Sequence, residues 1–133
     1  MDKIEVVESL KKELGCFKMH PAFERDLIDL DLFSPADLRF LTEFTTCLSL
    51  LRTLGYRAST ELNNKFEKLK HASGLYSMRI KVPSKNIRIL YSIQHDGTIL
   101  LCGFFERGGK RKTNYTNFIK TAQMRLKELT RGD

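Results

Sequence analysis

From Leu75 to Phe105 the chain turns strand-like, alternating apolar and polar residues in its first two runs and apolar on both faces in its third, broken twice by turn-forming clusters, and this stretch limits the fold more than any other. Leu75 to Val82, Ile87 to Ile93 and Thr98 to Phe105 read as three strands, separated by Pro83-Ser84-Lys85-Asn86 and by His95-Asp96-Gly97. The Asp96-Gly97 pair favours an antiparallel hairpin between the last two. Alternation puts Tyr76, Met78, Ile80 and Val82 on one face of the first strand and Ser77, Arg79 and Lys81 on the other. In the second strand it puts Ile87, Ile89, Tyr91 and Ile93 on the apolar face and Arg88, Ser92 and Gln94 opposite, so pairing the two brings Arg88 beside Arg79 and Lys81. The third strand is apolar on both faces and runs into Glu106-Arg107-Gly108-Gly109-Lys110-Arg111-Lys112, which delivers four more cations at one edge. The expected object is a sheet with one face against helices and a basic groove on the other.

The helices come from the flanks. Ile4, Val7, Leu10 and Leu14 recur at helical spacing before Gly15, predicting a helix over 2–14, with a strand within Ile4 to Val7 as the competing reading. Cys16 to Phe23, which contains Pro21, suits a short extended segment or turn. Ser34-Pro35 resembles an N-cap followed by a first-turn proline, and Leu38, Leu41, Phe44, Leu48 and Leu51 then mark one face of a helix ending at Gly55. Residues 61–71 read as helical or as a packed connection, ended by Ala72-Ser73-Gly74. Thr113 or Asn114 caps a last helix carrying Phe118, Ile119, Ala122, Leu126 and Leu129. The fold class is therefore α+β: an antiparallel sheet of three to five strands, N-terminal helices on one face and a C-terminal helix across an edge. All 133 residues belong to a single domain.

Charge divides this domain. Residues 1–55 carry 7 Lys/Arg against 10 Asp/Glu, whereas residues 56–133 carry 16 against 6. A field as positive as that of the second half attracts a polyanion, with nucleic acid or an acidic protein partner as the candidates. No stretch approaches the roughly 20 apolar residues of a membrane span, and the N-terminus lacks the features of a secretory signal, so a cytoplasmic protein is expected. Cys16, Cys47 and Cys102 and the three histidines are too scattered to hold zinc; reduced, mostly buried thiols and no metal or cofactor are expected.

A basic sheet face suits RNA. Guanidinium groups bind phosphates bidentately, lysines add charge, and Tyr or Phe stacks on unpaired bases. The competing reading is that Arg79 and Arg88 pair with carboxylates such as Glu106, and that 107–112 is a solvated loop.

The succession Phe66-Glu67-Lys68-Leu69-Lys70, Gly74-Leu75-Tyr76-Ser77-Met78-Arg79-Ile80, Ile87-Arg88-Ile89-Leu90-Tyr91 and Leu100-Leu101-Cys102-Gly103-Phe104-Phe105, then a basic loop and a terminal helix, resembles the RelE/HigB toxin pattern of the RelE/ParE superfamily over residues 62–129. The resemblance implies the toxin of a type II toxin–antitoxin pair: a metal-independent mRNA endoribonuclease, often ribosome-associated, partnered by a cognate antitoxin. In the implied reaction a ribose 2′-hydroxyl attacks the adjacent phosphate and cations stabilise the charge that develops on it. By motif position Arg79 and Arg88 are the phosphate stabilisers, and Arg107 is a second stabiliser or the acid. Lys81, Lys110, Arg111 and Lys112 hold flanking phosphates, and Tyr115 stacks on a base or shares in proton transfer. Where many relatives carry a lysine pair after the last strand's phenylalanine, this chain has Glu106-Arg107. A ParE-like inhibitor of a protein target, or a degenerate relative that binds RNA or antitoxin without cutting, are the alternatives.

Overall fold

The computed structural model describes residues 3–30, 37–70, 72–82, 85–106 and 115–130. Along these run α1 (Lys3–Leu14), β1 (Lys18–Met19), α2 (Pro21–Asp29), α3 (Leu38–Leu54), a short 3-10 turn (Gly55–Arg57), α4 (Ala58–Glu61), β2 (Phe66–Lys68), β3 (Tyr76–Val82), β4 (Lys85–Gln94), β5 (Gly97–Phe105) and α5 (Tyr115–Thr130). The strands make one five-stranded sheet in the order β1-β5-β4-β3-β2, antiparallel except that β1 runs parallel to β5. This is the expected α+β arrangement, with helices preceding and following the sheet. The β4–β5 hairpin turns through His95-Asp96, and Gly97 opens β5 at φ 134°, a setting that residues with a Cβ rarely adopt.

The first sheet face follows the alternation. Met78, Ile80, Ile87, Ile89 and Tyr91 are buried on it, under Phe40, Phe44 and Leu48 of α3, Leu10 of α1 and Phe23 of α2. Burial along α3 recurs at Leu41, Phe44, Leu48 and Leu51, the 3.6-residue period of a core-facing stripe. In α1 the buried stripe is Val6 and Leu10 with Val7 and Leu14 beside them, while Ile4 is 75% exposed. The helical reading of this segment therefore holds, but Ile4 is not on its core face.

The second face differs from expectation. Leu75, Leu90, Ile99, Leu101 and Phe104 form a second apolar cluster there with Ala122, Phe118, Ile119 and Leu126 of α5. The C-terminal helix thus lies over β5 and β4, inside the sheet, rather than across an edge. A strand apolar on both faces must be covered on both, and α5 supplies the cover. Two short segments also depart from the sequence reading. Pro21 starts helix α2 as its first residue, with His20 as the cap, and residues 66–68 extend the sheet as β2 instead of continuing a helix.

Two side-chain links tie α5 to α2. His20 Nδ1 accepts from the Ala22 amide at 3.0 Å, which leaves Nε2 as the protonated nitrogen facing Glu128 at 3.0 Å. Asp26 and Arg125 close the sheet margin where β1 ends. Asp26 Oδ2 accepts from the Gly103 amide at 3.1 Å and from Arg125 Nη1 at 2.7 Å, and Arg125 Nη1 also donates to the Leu101 carbonyl at 2.8 Å. Leu101 is the extra residue where the β4–β5 register shifts, so the arginine serves a carbonyl at a bulge. Cys47 and Cys102 are buried free thiols, each pushed up to about 12 chiefly by burial, whereas Cys16 is exposed.

Candidate functional site

Arg79 and Arg88 stand directly opposite each other across β3 and β4. Ser77 precedes Arg79 by two residues and shares its face, which α5 leaves open toward β2. Like charges facing across a ladder repel, so this register requires an anion close by. Glu106 supplies it. Its amide bonds the Asn86 carbonyl at 2.8 Å just beyond β5, which places the residue next to both arginines.

The contacts are specific. Arg88 Nε donates to Glu106 Oε2 at 2.8 Å and Nη2 approaches Oε1 at 3.4 Å, a fork on one carboxylate. Arg88 Nη1 donates to Ser77 Oγ at 3.1 Å and reaches Glu67 Oε2 at 3.3 Å. Tyr115, the first residue of α5, donates its hydroxyl to Glu106 Oε1 at 2.6 Å, and its ring centre lies 5.8 Å from the Arg88 guanidinium carbon. Arg79 Nη2 is 3.5 Å from the same Oε1, while Arg79 Nε is enclosed without a hydrogen-bond partner. The Arg88 side chain is 9% exposed and that of Arg79 37%, so the two cations are not equivalent.

Electrostatics follows from this packing. Burial raises the Glu106 carboxyl, but the hydrogen bonds from Arg88 and Tyr115 and the charges of Arg88 and Arg79 outweigh it and hold Glu106 below its ordinary value. Burial, then the bond to Glu106, pushes the Tyr115 phenol up to about 12. For Arg88 burial works against the charge, and pairing with Glu106 overcomes it. The cluster thus gathers two arginines around Glu106 at its centre, with Glu67 at its rim.

A groove of about 450 Å³ opens over this cluster. Arg88 and Glu106 lie at its base, Glu67, Leu69 and Lys70 along one wall, and Tyr115 and Ile119 along the other. Of the sequence-derived candidates, Arg88 and Tyr115 line the groove, and Arg79 joins them at Glu106 without lining it. Lys81 is exposed farther along β3, across from Asn86, and does not line the groove. Arg107, Lys110, Arg111 and Lys112 lie outside the described residues. Sequence reasoning missed Glu67 and Lys70, because β2 is too short to show a strand period, and treated Ser77 only as a residue on the polar face. The competing reading, Arg79 and Arg88 paired with Glu106, is realised in the geometry.

Among the described residues no group of three or more His, Cys, Asp and Glu is placed to hold a metal ion, and no helix is long and apolar enough to cross a membrane. Compared with known proteins, the chain matches no family model, no curated protein and no solved structure, so its functional reading rests on its own residues and their geometry.

Proposed function

We propose that this protein is the toxin of a type II toxin–antitoxin pair, a metal-independent endoribonuclease that acts on mRNA in the cytoplasm and is neutralised by a cognate antitoxin. The observation that carries the reading is the in-register Arg79–Arg88 pair meeting at Glu106, with Arg88 and Glu106 lining a groove walled by Lys70 and Tyr115, in the basic half of the chain. Two guanidiniums offering parallel N–H groups match the oxygens of a phosphodiester. In the reaction the ribose 2′-oxygen bonds to phosphorus, its proton leaves to a base, and the bond to the 5′-oxygen breaks as that oxygen gains a proton. Arg79 and Arg88 stabilise the charge on the phosphate oxygens, Tyr115 meets the adjoining base, and Lys81, Lys110, Arg111 and Lys112 hold flanking phosphates. Arg107 acts as a further stabiliser or as the acid.

The second reading, a non-catalytic relative that grips a protein target, RNA or an antitoxin, is favoured by one feature: Arg88 is already paired with Glu106 and Glu67. Inducible expression in growing bacteria, with primer-extension mapping of mRNA 5′ ends, separates the two. We expect growth arrest and new 5′ ends with the wild type, and loss of both on Arg79→Ala, with cleavage falling by about 100-fold or more. Arrest with intact mRNA, or no arrest, defeats the nuclease reading.

A further inference from the structure

We propose that Arg79, Arg88 and Tyr115 form an oxyanion-binding cradle which the chain's own Glu106 carboxylate fills in the free protein, and that an RNA phosphodiester binds by displacing it. This rests on the nuclease reading of the same groove and deepens it, by naming what occupies the phosphate position beforehand.

The geometry carries the inference. A carboxylate and a phosphodiester both present two oxygens with shared negative charge at similar spacing, so a fork that fits one fits the other. Glu106 receives such a fork from Arg88, a hydroxyl donor from Tyr115 on one oxygen, and the approach of Arg79 Nη2 at 3.5 Å on that same oxygen. Three side chains from β3, β4 and α5 thus converge on one anion. The fit is incomplete on the Arg79 side: its Nε is enclosed with no hydrogen-bond partner, although its guanidinium is the more exposed of the two. A bulkier anion carrying two further ester oxygens gains at the exposed part of the Arg79 guanidinium, which the carboxylate meets only at 3.5 Å, and the enclosed Nε is engaged only when that side chain turns. The groove opens on the same cluster, so an incoming strand has access. Glu106 follows the last residue of β5 and is not itself within a strand, so its side chain can swing away without breaking the β4–β5 ladder.

Displacement has a consequence for affinity. As long as Glu106 stays, it repels a phosphate at the same donors, and the cradle binds weakly. Neutralising it leaves the donors in place and removes the competitor.

The test uses thymidylyl-(3′→5′)-thymidine, a phosphodiester without a 2′-hydroxyl, titrated calorimetrically into the full chain. Glu106→Gln should bind it at least about tenfold more tightly than the wild type, a conservative figure for removing one like charge beside the anion. Adding Arg79→Ala to that variant should abolish the gain. Equal or weaker binding by a folded Glu106→Gln overturns the inference. If that variant does not fold, the wild type decides: saturating dinucleotide should shift the Arg88 Nε–H resonance in a proton–nitrogen spectrum, and an unmoved resonance overturns it. Because the probe cannot be cleaved, the two proposals fail separately. A cradle that behaves as described in a protein that leaves mRNA intact removes only the nuclease, whereas cleavage without a Glu106→Gln gain removes only the self-occupied cradle.

Discussion

Among the described residues the protein pairs an arginine with a carboxylate at two largely enclosed places, one at the sheet margin between α2 and α5 and one beside α5 on the sheet face, and the two are built differently. Arg125–Asp26 is woven into the backbone: Asp26 takes the Gly103 amide, and Arg125 takes the Leu101 carbonyl at the bulge. Both partners there satisfy groups that the sheet margin leaves open, as a structural pair does. Among the described residues the Arg88–Glu106 side chains engage other side chains, namely Ser77, Glu67 and Tyr115, with Arg79 close by and one of its donors unused. It also lies beneath a groove. Burial of an ion pair alone does not separate structure from function; what else the charges hold does.

The largest effect should come from breaking the woven pair. Asp26→Ala leaves Arg125 without its carboxylate and the Gly103 amide without its acceptor, and should cost about 3 kcal/mol in urea denaturation. Dinucleotide binding by the remaining folded protein should stay unchanged. A loss below about 1 kcal/mol would mean that this pair behaves as a surface contact, and the contrast would collapse.

That contrast was only partly legible in the sequence. The period-two pattern gave the faces of β3 and β4 and the meeting of Arg79 with Arg88, because alternation and a short turn leave little choice of register. The double-sided apolar character of β5 already called for cover on both faces, and the stripe Phe118, Ile119, Ala122 and Leu126 was available to provide it. What periodicity could not supply was β1 and β2, of two and three residues, whose strand state comes from pairing with neighbours rather than from local pattern. Glu67 and Lys70 were hidden for this reason. Glu106 was noticed as a departure from a family pattern, but its role depends on a backbone bond to Asn86 that no local signal announces.

A smaller effect separates the sites by pH. Glu106 is held below its ordinary carboxyl value of 4.5, so its contribution is complete above that pH and is lost as pH falls through the lowered folded value. Tyr115 is raised from 10.0 to about 12, so its contribution is complete below 10 and is lost as pH rises toward 12. Tyr115→Phe removes the hydroxyl bond to Glu106 and should cost about 1 kcal/mol at pH 7. The difference from wild type should be level between these limits and shrink outside both. A difference that is constant from pH 3 to 11, followed by urea midpoints, would show that the hydroxyl does not act through Glu106.

The smallest effect tests how far the Arg88 cluster depends on its own hydrogen bonds. Ser77 is fully buried and its hydroxyl takes Arg88 Nη1 at 3.1 Å, an atom that also reaches Glu67 at 3.3 Å. Ser77→Ala therefore does not strand the donor, and the cost should be about 0.5 to 1 kcal/mol, below that of a fully orphaned buried group. Among the described residues the guanidinium is then held by Glu106 and Glu67. Because both of these are side chains, Arg88 should gain rotational freedom that Arg125, anchored to the Leu101 carbonyl, lacks. Relaxation of the two Arg Nε–H groups reads this directly: Ser77→Ala should loosen Arg88 and leave Arg125 untouched. Equal rigidity at both would mean that the Glu106 fork by itself fixes Arg88 as firmly as a backbone contact fixes Arg125. In that case displacement of Glu106 by an incoming phosphate would have to move a guanidinium that is already locked.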